Sequence, residues 1–237
     1  NDCAVLYRLN AQSRPFEEEL RRAQIPYRLI GGVRFYERAE IKDLLAYFRL
    51  AVNQDSVTDL LRVINTPRRG VGNTSLQLVQ EAAHEREVGL WPALQDPPEQ
   101  VRGVGAKGIA SFVALVQELA EMAQELPGVH VLEHILDESD WLGFFAPVDD
   151  EGEARKENMN QLRESLYEFQ KEAEDYSLAT FLDTISLLTS EDQAQGSDGL
   201  TLMTIHSSKG LEFDRVFLPG WEQGLFPLER ADGDHDL

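Results

Sequence analysis

Seven consecutive residues, His206-Ser-Ser-Lys-Gly-Leu-Glu212, bring together an imidazole, two hydroxyls, an ammonium, a glycine and a carboxylate. Imidazole, hydroxyl and ammonium groups donate to phosphate oxygens, and a carboxylate accepts from sugar hydroxyls. The set therefore suits a loop that touches phosphates and sugars. Apolar runs bracket it. Leu200, Leu202 and Ile205, broken by Thr201 and Thr204, read as a buried strand, and Val216-Phe-Leu218 reads as another. In α/β sheets functional groups collect where strands end and loops begin.

A second polar cluster, Arg8, Asn10, Gln12, Ser13 and Arg14, follows the apolar run Cys3-Ala-Val-Leu-Tyr7. Phe16 to Ala23 reads as a helix with Phe16, Leu20 and Ala23 on one face and Glu17, Glu18 and Glu19 in its first turn. Pro26 stops it, and Tyr27-Arg-Leu-Ile30 is a second strand ended by Gly31-Gly32. This strand–helix–strand unit is the signature of an α/β fold. Beyond it Ile41, Leu44, Leu45, Phe48 and Val52 form a helical stripe. Arg34, Arg38 and Lys42, spaced by four, are expected to share another face, which either grips a phosphate backbone or pairs with Glu37 and Glu40.

From residue 51 the pattern is helical. Leu60, Leu61, Val63 and Ile64 belong to one helix, and Leu76, Val79, Ala82 and Ala83 to the next. Between them lies Thr66-Pro-Arg-Arg-Gly-Val-Gly-Asn-Thr-Ser75, and Val101-Arg-Gly-Val-Gly-Ala-Lys-Gly108 repeats its Arg-Gly-Val-Gly core before Ile109 to Leu119. Such turns suit helix-hairpin-helix contacts: glycine lets the main chain approach a phosphate, and helix N-terminal N–H groups point at it. The bland alternative is a glycine turn between two helices. His130 and His134 lie one turn apart with no third ligand placed beside them, which reads as structural or exposed. Trp141, Phe144 and Phe145 read as core or an interdomain contact, and Pro147 to Glu153 as an acidic loop. Met159, Leu162, Leu166, Phe169 and Ala173 make the seam of a long helix, and Leu178 to Leu188 another; Ser190 to Gly199 is a polar linker back to strand character.

The order is α/β, then about 145 residues of helix, then α/β. It reads as a mainly helical α/β chain with a helical domain inserted in a loop: residues 1–52, insert 53–197, and 198–237, the outer two completing one sheet. Net charge is −20, but residues 1–70 hold 12 basic against 9 acidic side chains and the remainder 10 against 33. The basic first part can still meet phosphates, because salt confines each field to about 8–10 Å. The acid of residues 81–199 suits a solvated surface. No run of about 18 apolar residues points to a membrane helix. The lone Cys3 excludes an internal disulfide and fits a reducing cytoplasm. The start, without Met or a basic leader, reads as a chain cut from something longer.

Five segments, Ala4–Arg14, Gly31–Asp43, Thr66–Gly72, Met203–Phe213 and Gly224–Pro227, resemble, in order, motifs of the UvrD/PcrA/Rep group of superfamily 1 DNA helicases. The resemblance implies most of a RecA-like subdomain 2A split by the helical subdomain 2B. It implies an ATP-dependent 3′–5′ DNA translocase acting in repair or replication, with ATP and Mg2+ as cofactors of the intact protein. The implied partners are single-strand and duplex DNA and repair proteins docked on the insert, in the cytoplasm and away from membranes. The family's phosphate loop, its magnesium carboxylates and its arginine fingers have no counterpart here, so this chain alone is expected neither to bind ATP and Mg2+ nor to hydrolyse ATP.

By resemblance Glu212, with Gly210, takes the nucleotide, Glu212 through the ribose hydroxyls. Arg8, Asn10, Lys42, Thr204, His206 and Lys209 fall to the single strand, and Arg68, Arg69, Gly70, Val71, Gly72 and Thr74 to the duplex. Leu228 stands where the family can carry a DNA-contacting His. A duplex-binding module without motor function, or a docking platform for repair proteins, is the alternative reading.

Overall fold

The computed structural model describes residues 3–8, 10–30, 34–138, 141, 150–194 and 199–220. The chain divides into two compact units, 1–38 with 190–237, and 39–189.

The first unit is built on a parallel sheet of β1 (Cys3–Tyr7), β2 (Tyr27–Ile30), β3 (Leu200–Thr204) and β4 (Arg215–Phe217), in the order β2-β3-β1-β4. Strand β3 threads between the first two, pairing Ala4 with Thr201 and Tyr7 with Thr204 on one side, and Tyr27 with Leu200 and Ile30 with Met203 on the other. Parallel strands are apolar on both faces because both are covered. Val5, Tyr7, Tyr27 and Leu202 pack on one face with Phe16 and Leu20, while Ala4, Leu6 and Met203 pack on the other with Ile30, Ile205 and Phe213.

Helix α1 (Ser13–Arg22) connects β1 to β2. It starts three residues before the expected Phe16, because Pro15 is tolerated in a first turn whose N–H groups lack intrahelical partners. No acid lies in that first turn, so the dipole argument for Glu17 to Glu19 fails. The residues α1 buries include Ser13, Arg14, Glu17 and Arg21.

The second unit is helical: α2 (Ala39–Val52), α3 (Val57–Val63), α4 (Asn73–Glu85), α5 (Leu90–Gln95), α6 (Gly103–Glu125), α7 (Gly128–Glu138), α8 (Asp150–Glu172) and α9 (Leu178–Ala194, whose last residues fall in the first unit). Helix α2 is central, packing on α3, α6, α7 and α8 with Leu44, Tyr47, Phe48 and Leu50 fully buried. It clusters with the helices, whereas the sequence pattern drew the boundary after residue 52. Helix α6 has the length and composition to cross a membrane, yet it buries Ile109, Phe112, Leu115, Val116 and Leu119 and packs on α2, α5 and α7, as a core helix does. Trp141 is fully buried against Tyr47 at 6.1 Å between ring centroids. His134 pairs with Glu118 at 3.0 Å and His130 is exposed.

Phe144, Phe145 and residues 147–149 of the acidic loop lie outside the described residues, as do 31–33, 195–198, Gly224–Pro227 and Leu228. Helix α9 takes up the first half of the expected linker.

Gly199 sits where the chain re-enters the sheet, with Leu200 N–H donating to Pro26 O at 2.9 Å. A Cβ at Gly199 would meet the Pro26 carbonyl oxygen at 2.1 Å, a backbone atom that cannot swing aside. Gly199→Ala is expected to cost about 1–3 kcal/mol by overpacking, read as a lower denaturant midpoint; an unchanged midpoint would show that the β2–β3 junction relaxes freely.

Candidate functional site

The C-terminal edge of the sheet gathers most of the candidate residues of the first unit. Tyr7 and Thr204 are in register, and Ile205 N–H donates to Tyr7 O at 2.8 Å, so Arg8 and His206 leave neighbouring strand ends side by side. Arg8 Nη1 lies 3.3 Å from His206 Nδ1, and Arg8 N–H donates to Gln12 Oε1 at 3.0 Å.

The loop after β3 closes on itself. Ser207 N–H donates to Thr204 Oγ1 at 3.1 Å, the two hydroxyls lie 2.8 Å apart, and Ser208 Oγ donates to Ile205 O at 2.8 Å. Ser208 N–H reaches Thr204 O at 3.2 Å and Leu211 N–H reaches Ser208 O at 2.9 Å. Gly210 ends this turn at φ +85°, a left-handed conformation suited to glycine, with open space where a Cβ would be. Thr204 is thus a buried anchor of the loop, and the groups offered outward are His206, Lys209 and Glu212, all exposed. No hydrogen bond or ion pair engages the Lys209 or Glu212 side chains among the described residues, which leaves an ammonium and a carboxylate open to a ligand.

Behind this edge lies a buried polar cluster that the sequence pattern does not reveal. Arg38 Nη2 donates to Asn10 O at 2.6 Å and to Ser13 Oγ at 2.9 Å, and Ser13 Oγ donates to Glu17 Oε1 at 2.5 Å. The guanidiniums of Arg14 and Arg38 lie 5.4 and 5.2 Å from the Phe35 ring centroid, and Arg14 pairs with Glu18 at 2.8 Å. Burial, then the charge of Glu17, pushes the Tyr7 phenol well above its ordinary pKa. Asn10 Oδ1 is buried and has no partner among the described residues.

The expected basic face of Arg34, Arg38 and Lys42 does not form. Arg34 and Arg38 have extended ψ of 146° and 142° on either side of a 3₁₀ turn at Phe35–Glu37, so a spacing of four is not helical there. Arg38 is 7% exposed and clamps the strand end, while Lys42 stands alone and exposed on α2.

In the helical unit the two glycine turns pack on each other. A Cβ at Gly70 (φ +74°) would strike Val104 Cγ1 at 2.3 Å, one at Gly105 would strike Ser75 Oγ at 2.4 Å, and one at Gly108 would strike Arg69 O at 2.2 Å. Those glycines serve the contact between turns. Gly72 and Gly103 differ, with nothing within 4 Å of a built Cβ, at the starts of α4 and α6. Arg69 also turns inward. Its guanidinium lies 5.8 Å from the Tyr47 ring centroid and 5.6 Å from that of Phe112, and donates to Val63 O at 3.3 Å and Pro67 O at 3.2 Å. Tyr47 Oη donates to Thr66 O at 2.6 Å, and burial pushes its pKa up to about 12. Val71 is 5% exposed. Of the expected duplex contacts, Arg68, Gly70, Gly72 and Thr74 are exposed, and Arg68 lines a cavity of about 340 Å3 with Ser111, Glu118 and Glu138.

Among the described residues no group of His, Cys, Asp and Glu is arranged to hold a metal ion. The exposed Glu212 beyond the left-handed Gly210 fits a sugar hydroxyl pair, which needs only an accessible acceptor. These features define a parallel-sheet α/β protein with an exposed polar loop after one of its strands and a large helical unit.

The chain belongs to the UvrD-like helicase C-terminal domain family, whose model it matches over residues 1–237. It is 41% identical to DNA helicase II of Haemophilus influenzae over 238 residues, covering 98% of this chain and 33% of that protein. It is 38% identical to the ATP-dependent DNA helicase PcrA of Bacillus subtilis, covering 98% and 32%. The figures for DNA helicase II of Escherichia coli are 38% identity, 97% and 33%. The chain thus spans about a third of the length of these curated relatives.

Arg69→Met is expected to cost about 1–3 kcal/mol of stability by orphaning carbonyl acceptors and ring contacts, and Arg68→Met less than about 0.5 kcal/mol. Equal midpoints for the two variants would show that Arg69 does not hold the turn.

Proposed function

We propose that this chain is the 2A and 2B portion of an ATP-dependent 3′–5′ DNA helicase. The observation that carries the reading is the sheet's C-terminal edge, where Arg8 and His206 lie side by side and the loop runs on to the exposed Lys209 and Glu212, in a chain of this family. The parallel-sheet unit corresponds to a RecA-like 2A and the helical unit to 2B, with the compact-unit boundaries near residues 38 and 189 preferred to 52 and 197.

In this reading Arg8, Asn10, His206 and Lys209 hold the phosphates of the single strand. Lys42 adds a contact from α2, and Thr204 acts through the loop it anchors. Glu212, placed by Gly210, accepts hydrogen bonds from the ribose hydroxyls of ATP, whose hydrolysis supplies the free energy for movement. The sheet unit closes on a second RecA-like subdomain across the nucleotide and reopens afterwards, and alternating grip advances the protein along the strand. In this reading the ligands of Mg2+ are carried by other parts of the intact protein.

The duplex ahead meets Arg68, Gly72 and Thr74, through main-chain N–H groups and charge that ignore base identity. Arg69, Gly70 and Val71 shape that turn from within. The intact protein works in the cytoplasm in DNA repair or replication, and its acidic helical unit offers a surface for repair proteins.

Glu212→Ala in the intact protein is expected to raise the ATP concentration for half-maximal DNA-stimulated hydrolysis about tenfold, the equivalent of ~1.4 kcal/mol. An unchanged requirement would remove Glu212 from the nucleotide site. The 237-residue chain alone is expected to show no DNA-stimulated ATPase activity. Arg68→Glu is expected to weaken duplex binding and to reduce the slope of log affinity against log salt by about one unit; an unchanged slope would place the duplex elsewhere.

A further inference from the structure

We propose that Arg8 is a positioning residue that fixes the tautomer of His206, making the exposed imidazole an Nε2–H donor to a phosphate of single-stranded nucleic acid. The proposal rests on the reading of the sheet edge as the single-strand site and adds a division of labour within it.

The chemistry follows from one contact. Arg8 Nη1 lies 3.3 Å from His206 Nδ1. A guanidinium carries only donors and stays protonated at any working pH, so Nδ1 must present its lone pair. In the neutral ring the proton then belongs to Nε2. A phosphate oxygen only accepts at neutral pH, so this tautomer is the one that can bind it, and the opposite tautomer would set lone pair against lone pair.

The geometry favours Arg8 for this task over the other polar groups nearby. Its backbone is held by the Gln12 side chain at 3.0 Å, and the Tyr7 and Thr204 register fixes the spacing between the two strand ends. The hydroxyls of Thr204, Ser207 and Ser208 are committed to hydrogen bonds within the loop, so they do not orient the ring. No partner is described for Nε2, and His206 is exposed.

The test uses the protein labelled with 15N-histidine, with the His206 resonances identified from His206→Gln. Imidazole 15N shifts distinguish the tautomers without DNA. The Nε2–H form is expected for His206 in the parent and in Arg8→Lys, whose ammonium also only donates, and a mixture in Arg8→Met. Single-strand affinity, followed by anisotropy of a labelled oligothymidylate, is expected to fall about tenfold in His206→Asn, the size of one charge-assisted hydrogen bond. His206→Gln, whose amide nitrogen occupies the place of Nε2, is expected to bind within about threefold of the parent. Because glutamine has no tautomer to fix, Arg8→Met should cost less in the His206→Gln background than alone.

A parent Nδ1–H tautomer, or an unchanged tautomer in Arg8→Met, overturns the positioning role whatever the DNA affinity does. Fully additive losses in the double variant overturn it as well, since no part of the effect of Arg8 on DNA would then pass through His206, leaving only its own phosphate contact. An Nε2–H tautomer together with parent-like binding by His206→Asn overturns the phosphate contact instead, and removes His206 from the single-strand site.

Discussion

Strand β3 is paired along both edges, with β1 through Ala4–Tyr7 and with β2 through Tyr27–Ile30, and the candidate site depends on that double pairing. Parallel strands cannot join through a tight turn, so they are brought together by segments that leave the sheet and return. Here the segment leaving β2 contains the whole helical unit, and the chain comes back only at Gly199. Once β3 is seated, its last residue lies opposite the last residue of β1, and the loops carrying Arg8 and His206 emerge together. A register slip of one residue would turn the strand's side chains to the opposite face and separate the pair.

The polar residues divide into those that hold the scaffold and those that face outward. In the sheet unit Arg38, Ser13 and Glu17 form a buried network that fixes the strand end, while His206, Lys209 and Glu212 remain exposed on a loop stiffened by hydroxyl bonds. In the helical unit Arg69 stacks on Tyr47 and Phe112 and binds carbonyls, while Arg68, its neighbour in sequence, stays at the surface. Gly70, Gly105 and Gly108 let the two turns touch, and Gly72 and Gly103 leave open backbone at two helix starts. Burying an arginine requires hydrogen-bond acceptors and ring faces to replace its water, and the acceptors on Val63 and Pro67 meet that need for Arg69.

How far the sequence reveals this depends on whether the deciding contact is local. Strands β1, β2 and β3 are legible because short apolar runs end in glycine, proline or polar clusters, and the parallel sheet follows from their spacing around helices. The exposed loop 206–212 is legible from residue types alone. The start of α1 is obscured by Pro15, and its buried polar side is invisible to a search for apolar periodicity. The spacing of Arg34, Arg38 and Lys42 suggests a helix face, but two extended residues interrupt it. The repeated Arg-Gly-Val-Gly core is plain in the sequence; that two of its glycines, Gly70 and Gly105, serve contact between the copies, with Gly108 just beyond the core, depends on how distant segments fold together.

Amide hydrogen exchange of the intact protein with and without a single-stranded oligonucleotide tests the central claim most directly. The account predicts added protection at residues 8–12 and 205–211, the strand ends and the loop between them. Protection confined to other segments, with 205–211 exchanging as fast as in the free protein, would contradict it.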